Sequence, residues 1–233
     1  MNPKIAIAAI AMSLWVVGLS ISPSAMAVEL DFNLSAPTSG TVTYAGGGGA
    51  LAGSNIEVDN VVGLSTPANA NVTSVCFSCL LNFNSGTLTG SGPQNGGWWS
   101  FGSGGTISIT GGVQLQGGTD ISLGSTLLTG NFNNAFVQDL GNQFKVTFGS
   151  FSDTKHADLL SYYGLPLGPY NGALTFLFAA TDNGVGSAFT STSVFSGNVV
   201  NSPAPVPLPA AAWLFGSALA GLAGVLRKKL TLA

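Results

Sequence analysis

The end of the chain carries the feature that most restricts how it can fold. From Leu208 to Leu226 no residue is charged, and Arg227, Lys228 and Lys229 follow directly. A helix of this length covers roughly 28 Å, close to the hydrocarbon thickness of a bilayer. A single spanning segment has to satisfy its own backbone hydrogen bonds, so we expect a transmembrane helix over residues 208–226. The three cations orient that end towards the cytoplasm.

Other interpretations of this tail fit less well. A helix packed on the core of a soluble domain usually keeps a polar face towards solvent, which is missing here, and the basic cluster follows directly. A glycolipid-anchor signal also ends in an apolar tail, but the terminal basic cluster and the two prolines Pro207 and Pro209 do not match it. Gly216, Ala220 and Gly224 are spaced for close helix–helix approach, although a plain anchor built of Ala and Gly has the same composition.

The segment from Val206 to Lys229 reads VPLPAAAWLFGSALAGLAGVLRKK. It resembles the PEP-CTERM sorting signal of Gram-negative bacteria, which has a Pro-x-Pro motif, an apolar helix and a short basic end. Here the motif is Val206-Pro207-Leu208-Pro209, whereas the commonest form has Glu between the prolines. The resemblance implies recognition at this motif by exosortase, a membrane protease-transpeptidase of species that make extracellular polysaccharide.

Residues 1–27 predict a secretory signal peptide. Lys4 supplies the positive start, residues 5–21 are apolar, and Ala25 and Ala27 flank Met26 in a small-residue cleavage pattern. An uncleaved anchor is the alternative, and Pro23 with the small residues that follow it favours cleavage. Lys4 and the basic end both belong in the cytoplasm, so the residues between them are expected outside it.

The passenger between the two ends, residues 28–200, is long enough for one domain with a real core, and residues 201–205 predict a short linker. It is acidic, because all nine carboxylates of the chain lie in it against only Lys145 and Lys155. Nucleic acid is therefore excluded as a partner, since binding it requires basic residues that replace counterions. The apolar content is too high for a disordered acidic tail.

Short β-type runs separated by Gly-rich turns dominate the passenger. Val28 to Leu34 alternates apolar and polar residues, the pattern of a half-buried strand. Further strands are predicted over residues 55–62, 80–83, 106–109, 143–151, 174–180 and 193–200. One helix is predicted from Thr154 to Tyr163, with Asp153 or Thr154 as its cap and Gly164 just past its end. This content predicts a mainly β fold, an antiparallel β-sandwich of jelly-roll type with one short helix.

Cys76 and Cys79 form a C-x-x-C pair. Outside the cytoplasm a small structural disulfide is favoured, and the segment must turn for the sulfurs to meet, because strand positions three apart face opposite sides. A redox pair lacks its usual βαβ context, and a metal site lacks ligands beyond His156. Two free or intermolecular thiols remain open. We expect no metal and no cofactor.

Candidates for catalysis are few. His156 is the single histidine, with Asp158 nearby, but no G-x-S-x-G nucleophile motif occurs, and such a residue is typically a polar surface group. Glu57 and Asp59 share one side of a predicted strand. Carboxylate pairs hydrolyse glycosides, but a solvated strand face gives the same pattern. We assign no catalytic residue and expect a non-enzymatic protein.

Trp98 and Trp99 are the clearest binding candidates. Exposed indoles stack on sugars, so a lectin-like, carbohydrate-binding module for exopolysaccharide is one hypothesis, while the other interpretation places one of the two in the core. Asp182-Asn183-Gly184 is either part of a calcium loop or a plain turn, and it lacks the further spaced acidic ligands of known loops.

The leading expectation combines the two ends with the passenger. It is an exported surface or extracellular-matrix protein in an exopolysaccharide or biofilm context, processed by signal peptidase and exosortase. Its C-terminal helix would hold it at the inner membrane, with the passenger outside the cytoplasm, before it reaches the cell surface or is secreted.

Overall fold

A computed structural model describes residues 27–141, 143–181 and 183–204. The cleavage residue Ala25, the sorting motif Val206–Pro209, the helix predicted over 208–226 and the cations Arg227–Lys229 lie outside the described residues. Ala27 is exposed at the start of the described part. The strands are β1 (Glu29–Leu34), β2 (Thr41–Tyr44), β3 (Ala50–Leu64), β4 (Thr73–Gly92), β5 (Trp98–Phe101), β6 (Gly105–Gln114), β7 (Ile121–Asp139), β8 (Phe144–Lys155), β9 (Tyr170–Ala180) and β10 (Phe189–Pro203). A 3₁₀ turn (Gln94–Gly96) precedes β5, and helix α1 (Ala157–Tyr163) follows β8.

The mainly β, antiparallel character expected from the sequence is confirmed. Each of the seven predicted strands overlaps an observed one, usually a longer one. Strands β2, β5 and β7 were not predicted from the sequence. Strand β7 contains residues of low β propensity, namely Gly124, Gly130, Asn131, Asn133 and Asn134. It is a strand because β6 and β8 both pair with it along most of its length.

The strands form a closed sheet, in which the last strand pairs with the first. β1 and β2 lie end to end between β3 and β10, and β5 and β6 lie end to end between β4 and β7. We count β1 with β2, and β5 with β6, as one interrupted strand each. Every strand then pairs antiparallel with the strands before and after it in sequence, and β10 pairs with β1. The described sheet therefore leaves few open edges, and open edges are where a β protein pairs with other chains.

Side chains from strands that share no hydrogen bonds meet inside this closed sheet. The ring of Phe83 on β4 lies 5.8 Å from that of Phe176 on β9, and Tyr44 on β2 lies 5.4 Å from Phe101 on β5. Two β faces thus pack over one interior, as in a sandwich. Burial of each such side chain contributes about 1.5–3 kcal/mol to folding.

The strand order differs from the jelly roll that we expected. A jelly roll is built from Greek keys, in which long connections join strands that are distant in the sheet. Here the long strands follow one another as hairpins, with sequence neighbours paired. The alternating pattern of single strands predicts which face is buried but not which strand lies beside which, so this part of the expectation was wrong.

The helix is shorter than predicted. Asp153 and Thr154 pair with β7 as the end of β8, so α1 begins at Ala157 and His156 is its N-cap. The predicted end is confirmed, because Gly164 follows α1 in the left-handed conformation at φ 68°. The inward face of α1 buries Leu159, Leu160 and Tyr163.

The last strand also runs further than predicted. Asn201, Ser202 and Pro203 continue β10 and pair with Gly172, Asn171 and Tyr170 of β9. Asn201 is completely buried, and its amide nitrogen donates to the carbonyl oxygens of Leu30 and Val199. Strand β10 therefore includes residues 201–203, which were predicted to belong to the linker.

Candidate ligand-binding surface

Trp98 and Trp99 lie on opposite sides of β5. Trp99 points inward, is 1% exposed, and packs edge-on against Phe189 with ring centroids 5.5 Å apart. Trp98 points outward and is half-buried. The expectation that one of the two belongs to the core is confirmed, and of the two only Trp98 has its indole at the surface.

The indole of Trp98 is held in place by its neighbours. It stacks on the ring of Phe136 of β7, with centroids 5.8 Å apart and planes inclined by 15°. Its Nε1 donates to Oε1 of Gln94 at 3.0 Å. On the other side it lies against Gly90 and Gly92 of β4, whose missing side chains leave room for it. A pre-positioned aromatic ring of this kind loses little entropy when a ligand stacks on it.

Trp98 belongs to a broad polar surface on the outside of β5 to β8. Directly paired residues of adjacent strands project to the same face, so the register defines its rows. Thr106, Asn131 and Ser152 form one row, Ser108, Thr129 and Thr154 form the next, and Trp98, Gln138 and Lys145 form a third. We call this surface the β7 face; it comprises the outward side chains of Trp98, Ser100, Thr106, Ser108, Thr129, Asn131, Asn134, Phe136, Gln138, Lys145, Ser150, Ser152 and Thr154.

A groove of about 300 Å³ lies at the end of the β7 face remote from Trp98. That volume is at the lower limit of small-molecule sites, which span roughly 300 to 1,000 Å³. Five of its eight lining residues carry a hydroxyl or amide group, although carbon atoms contribute more of the exposed lining than polar atoms do: Thr106, Thr129, Gly130, Asn131, Ser152, Asp153, Thr154 and Pro169. Sequence reasoning missed this site, and the only signal available was the repeated Thr, Ser and Asn at alternate positions of β7 and β8.

A charged pair lies beneath this surface, inside the sheet. Lys155 Nζ donates to Asp153 Oδ2 at 2.5 Å, and both side chains are inaccessible to solvent. The ammonium also lies 4.0 Å from the centroid of the Tyr170 ring. Burial lowers the pKa of Lys155 to about 8, partly offset by Asp153, and burial raises the pKa of Asp153.

Cys76 and Cys79 form a disulfide, with Cα atoms 5.5 Å apart. Ser78 takes a positive φ of 49°, and the β4–β6 register shifts between Phe77 and Leu80. This bulge brings both cysteines to one face, as the spacing required, and the structure shows that this face is the buried one, while Phe77 and Ser78 stay exposed.

The candidate carboxylates Glu57 and Asp59 lie on the outside of β3 and bind the connection between β1 and β2. Asp59 Oδ2 accepts from the backbone N–H of Ser35 at 2.7 Å, and Glu57 Oε2 accepts from the Ser39 hydroxyl at 3.3 Å. Neither lines the described groove. In the structure the two carboxylates hold the connection between β1 and β2 against β3 through these hydrogen bonds.

His156 and Asn183 likewise make local contacts. His156 Nδ1 accepts from the backbone N–H of Asp158 at 3.3 Å, as a helix cap. Asn183 Nδ2 donates to the carbonyl oxygen of Ala188, closing a turn, and Asp182 lies outside the described residues. Within the described residues no three His, Cys, Asp or Glu side chains are grouped as a metal site would require. No helix of the described ranges has the length and apolar content to cross a bilayer.

Comparison of the chain with protein-family models, with curated proteins and with solved structures finds no match.

Proposed function

We propose that this chain is an exported, non-enzymatic protein of the cell surface or extracellular matrix, sorted by its C-terminal tail. The observation that carries the proposal is the order of motif, apolar segment and cations from Val206 to Lys229. The disulfide between Cys76 and Cys79 supports it, because such bonds persist in oxidising compartments outside the cytoplasm. The passenger in this proposal is a sandwich-like body whose β7 face is available to partners.

Each part of the chain has a physical role in this proposal. Signal peptidase removes residues 1–27, and the segment 208–226 stops in the inner membrane because its transfer to lipid is favourable. Arg227 to Lys229 keep the end cytoplasmic. Exosortase then recognises Pro207 and Pro209, and the passenger is released to the surface or to the exopolysaccharide matrix.

Mass spectrometry of the mature protein tests this assignment. The wild-type chain should begin at Val28 and lack the residues from Trp213 to Ala233. A Pro207→Ala, Pro209→Ala variant should accumulate in the membrane fraction with these residues retained. Pro205→Ala, a proline change just outside the motif, is the matched control and should be processed like wild type. A mature wild-type protein that keeps its tail contradicts the proposal.

A second candidate function, carbohydrate binding, is favoured by Trp98. Its half-exposed indole is stacked on Phe136 and fastened by Gln94, as expected for an aromatic platform. Trp99 has no part in it, because its ring is buried. Trp98→Ala should weaken binding to polysaccharide in affinity electrophoresis. Phe77→Ala, which removes another exposed aromatic from the opposite end of β4, should leave that binding unchanged.

A further inference from the structure

We infer that the groove lined by Thr106, Thr129, Asn131, Ser152 and Thr154 is a binding site for a neutral polysaccharide. It is a site additional to Trp98, at the other end of the β7 face. The inference deepens the carbohydrate-binding candidate and rests on it for the extracellular setting, but it makes its own claim about where the sugar hydroxyls are bound.

The hydrogen-bonding state of the groove points to a ligand rich in hydroxyl groups. In the part of the chain that the structure describes, no side-chain hydrogen bond engages Thr129, Asn131, Ser152 or Thr154, and all four are exposed. Thr106 differs, because its hydroxyl donates to Asn84 Oδ1 at 3.1 Å and so offers only acceptor capacity. Hydroxyl and amide groups both donate and accept, as sugar hydroxyls do, so each can exchange a water for a sugar.

The charge distribution favours a neutral ligand. The one carboxylate that contributes to the lining, Asp153, points into the interior and is paired with Lys155. Exposed carboxylates such as Glu57 and Asp158 lie on other elements, β3 and α1. The only charged side chain on the β7 face is Lys145, which is in the row of Trp98. A groove without ionic groups offers little to a uronate or a phosphate, whose recognition uses Arg or Lys.

The rows of the β7 face also favour a chain over a single sugar. Along β7, the groove lies at Asn131, which is paired with Thr106. Trp98 lies further along, on β5, where it is paired with Gln138 of β7. At about 3.3 Å per residue, these two positions are roughly 23 Å apart along the strand. Asn134 and Phe136 lie between them and face outward. A linear polysaccharide laid along β7 would therefore contact the groove and the indole together.

Removal of hydroxyl groups at constant side-chain shape tests the inference. The full chain, purified in a mild detergent, is run in affinity electrophoresis against dextran, laminarin, galactomannan and, as the anionic comparison, alginate. The Thr129→Val, Thr154→Val variant removes two groove hydroxyls. Thr41→Val, Thr190→Val removes two exposed strand hydroxyls elsewhere and is the matched control. Circular dichroism and urea unfolding establish that each variant folds.

We expect wild type to bind at least one of the neutral polysaccharides and the groove variant to bind it about tenfold more weakly, as two lost hydrogen bonds imply. The control should stay within twofold. Unchanged binding in the groove variant, with loss in Trp98→Ala, overturns the groove and leaves the Trp98 candidate intact. Binding to alginate alone, or to none of the four, also overturns it. Neither result touches tail processing, which the mass of the mature protein decides separately.

Discussion

Lys155 follows Asp153 by two residues on β8, and both side chains point into the interior of the closed sheet, where the ammonium donates to the carboxylate at 2.5 Å. Positions two apart share one face of a strand, so the pair forms along a single strand. Desolvation of two charges is expensive, and their mutual attraction offsets only part of that cost. The pair makes the stability of the passenger depend on pH.

Stability should rise between pH 8 and pH 10. The pKa of Lys155 is about 8 in the folded protein against 10.5 in the unfolded chain. Between these values the unfolded chain holds a proton that the folded one has lost, so the free energy of unfolding increases with pH, by roughly 3 kcal/mol at most. Above pH 10 the raised pKa values of Tyr163 and Tyr170 act in the opposite direction.

Urea unfolding across this pH range, compared with an Asp153→Leu, Lys155→Met variant, measures the effect. The double variant replaces the pair by apolar groups and should show a flat profile from pH 8 to pH 10. Lys155→Met alone should destabilise by about 3–5 kcal/mol at pH 7, because it leaves Asp153 buried without its partner. Superimposable profiles for wild type and the double variant would show that the pair does not titrate in this way.

Loss of the disulfide should cost about 2 kcal/mol. The bond between Cys76 and Cys79 closes a loop of only a few residues, for which the restriction of the unfolded chain is small. Urea unfolding of a Cys76→Ala, Cys79→Ala variant gives the value. Dithiothreitol should lower the midpoint of wild type towards that of the variant and leave the variant unchanged. Equal sensitivity of the two proteins to the reductant contradicts the prediction.

The two neighbouring tryptophans should behave differently on truncation. Trp99→Ala removes a buried ring from contact with Phe144 and Phe189 and should destabilise by about 3–5 kcal/mol. Trp98→Ala loses mainly its stacking on Phe136 and should cost about 1 kcal/mol. Urea unfolding of the two variants compares them directly, and a larger loss for Trp98 would mean that the sides of β5 are assigned wrongly.

The hydroxyl group of Tyr163 should stabilise the docking of α1. It lies 3.1 Å from the carbonyl oxygen of Val61, 3.0 Å from that of Val72 and 3.1 Å from the hydroxyl of Ser74. Tyr163→Phe removes this shared partner from groups that are buried or half-buried, and should cost about 1–3 kcal/mol in thermal or urea unfolding. The matched change Tyr162→Phe removes an exposed contact to the Gln116 carbonyl oxygen and should stay within about 0.5 kcal/mol.

Local patterns predicted a large part of the fold because they report burial. The alternation in Val28–Leu34 marks β1, and Gly164 marks the end of α1. The same reasoning failed where long-range pairing overrides propensity, as in β7, and at Asp153 and Thr154, which cap a helix by local criteria but pair with β7. The Trp98–Trp99 pair was identified, but the groove was not. Thr129 and Thr154 are 25 positions apart, and only strand register makes them neighbours.

The sequence by itself determined the mainly β class, the need for a turn between Cys76 and Cys79, and the concentration of the carboxylates between two apolar ends. These follow from composition, spacing and alternation, which act over a few residues. Only the tertiary structure decided the closed strand order, which tryptophan is accessible, and that Lys155 is buried beside Asp153. Each of these depends on which strands, distant in sequence, pair with each other. That pairing is determined by the packing of the whole core and not by local residue preferences.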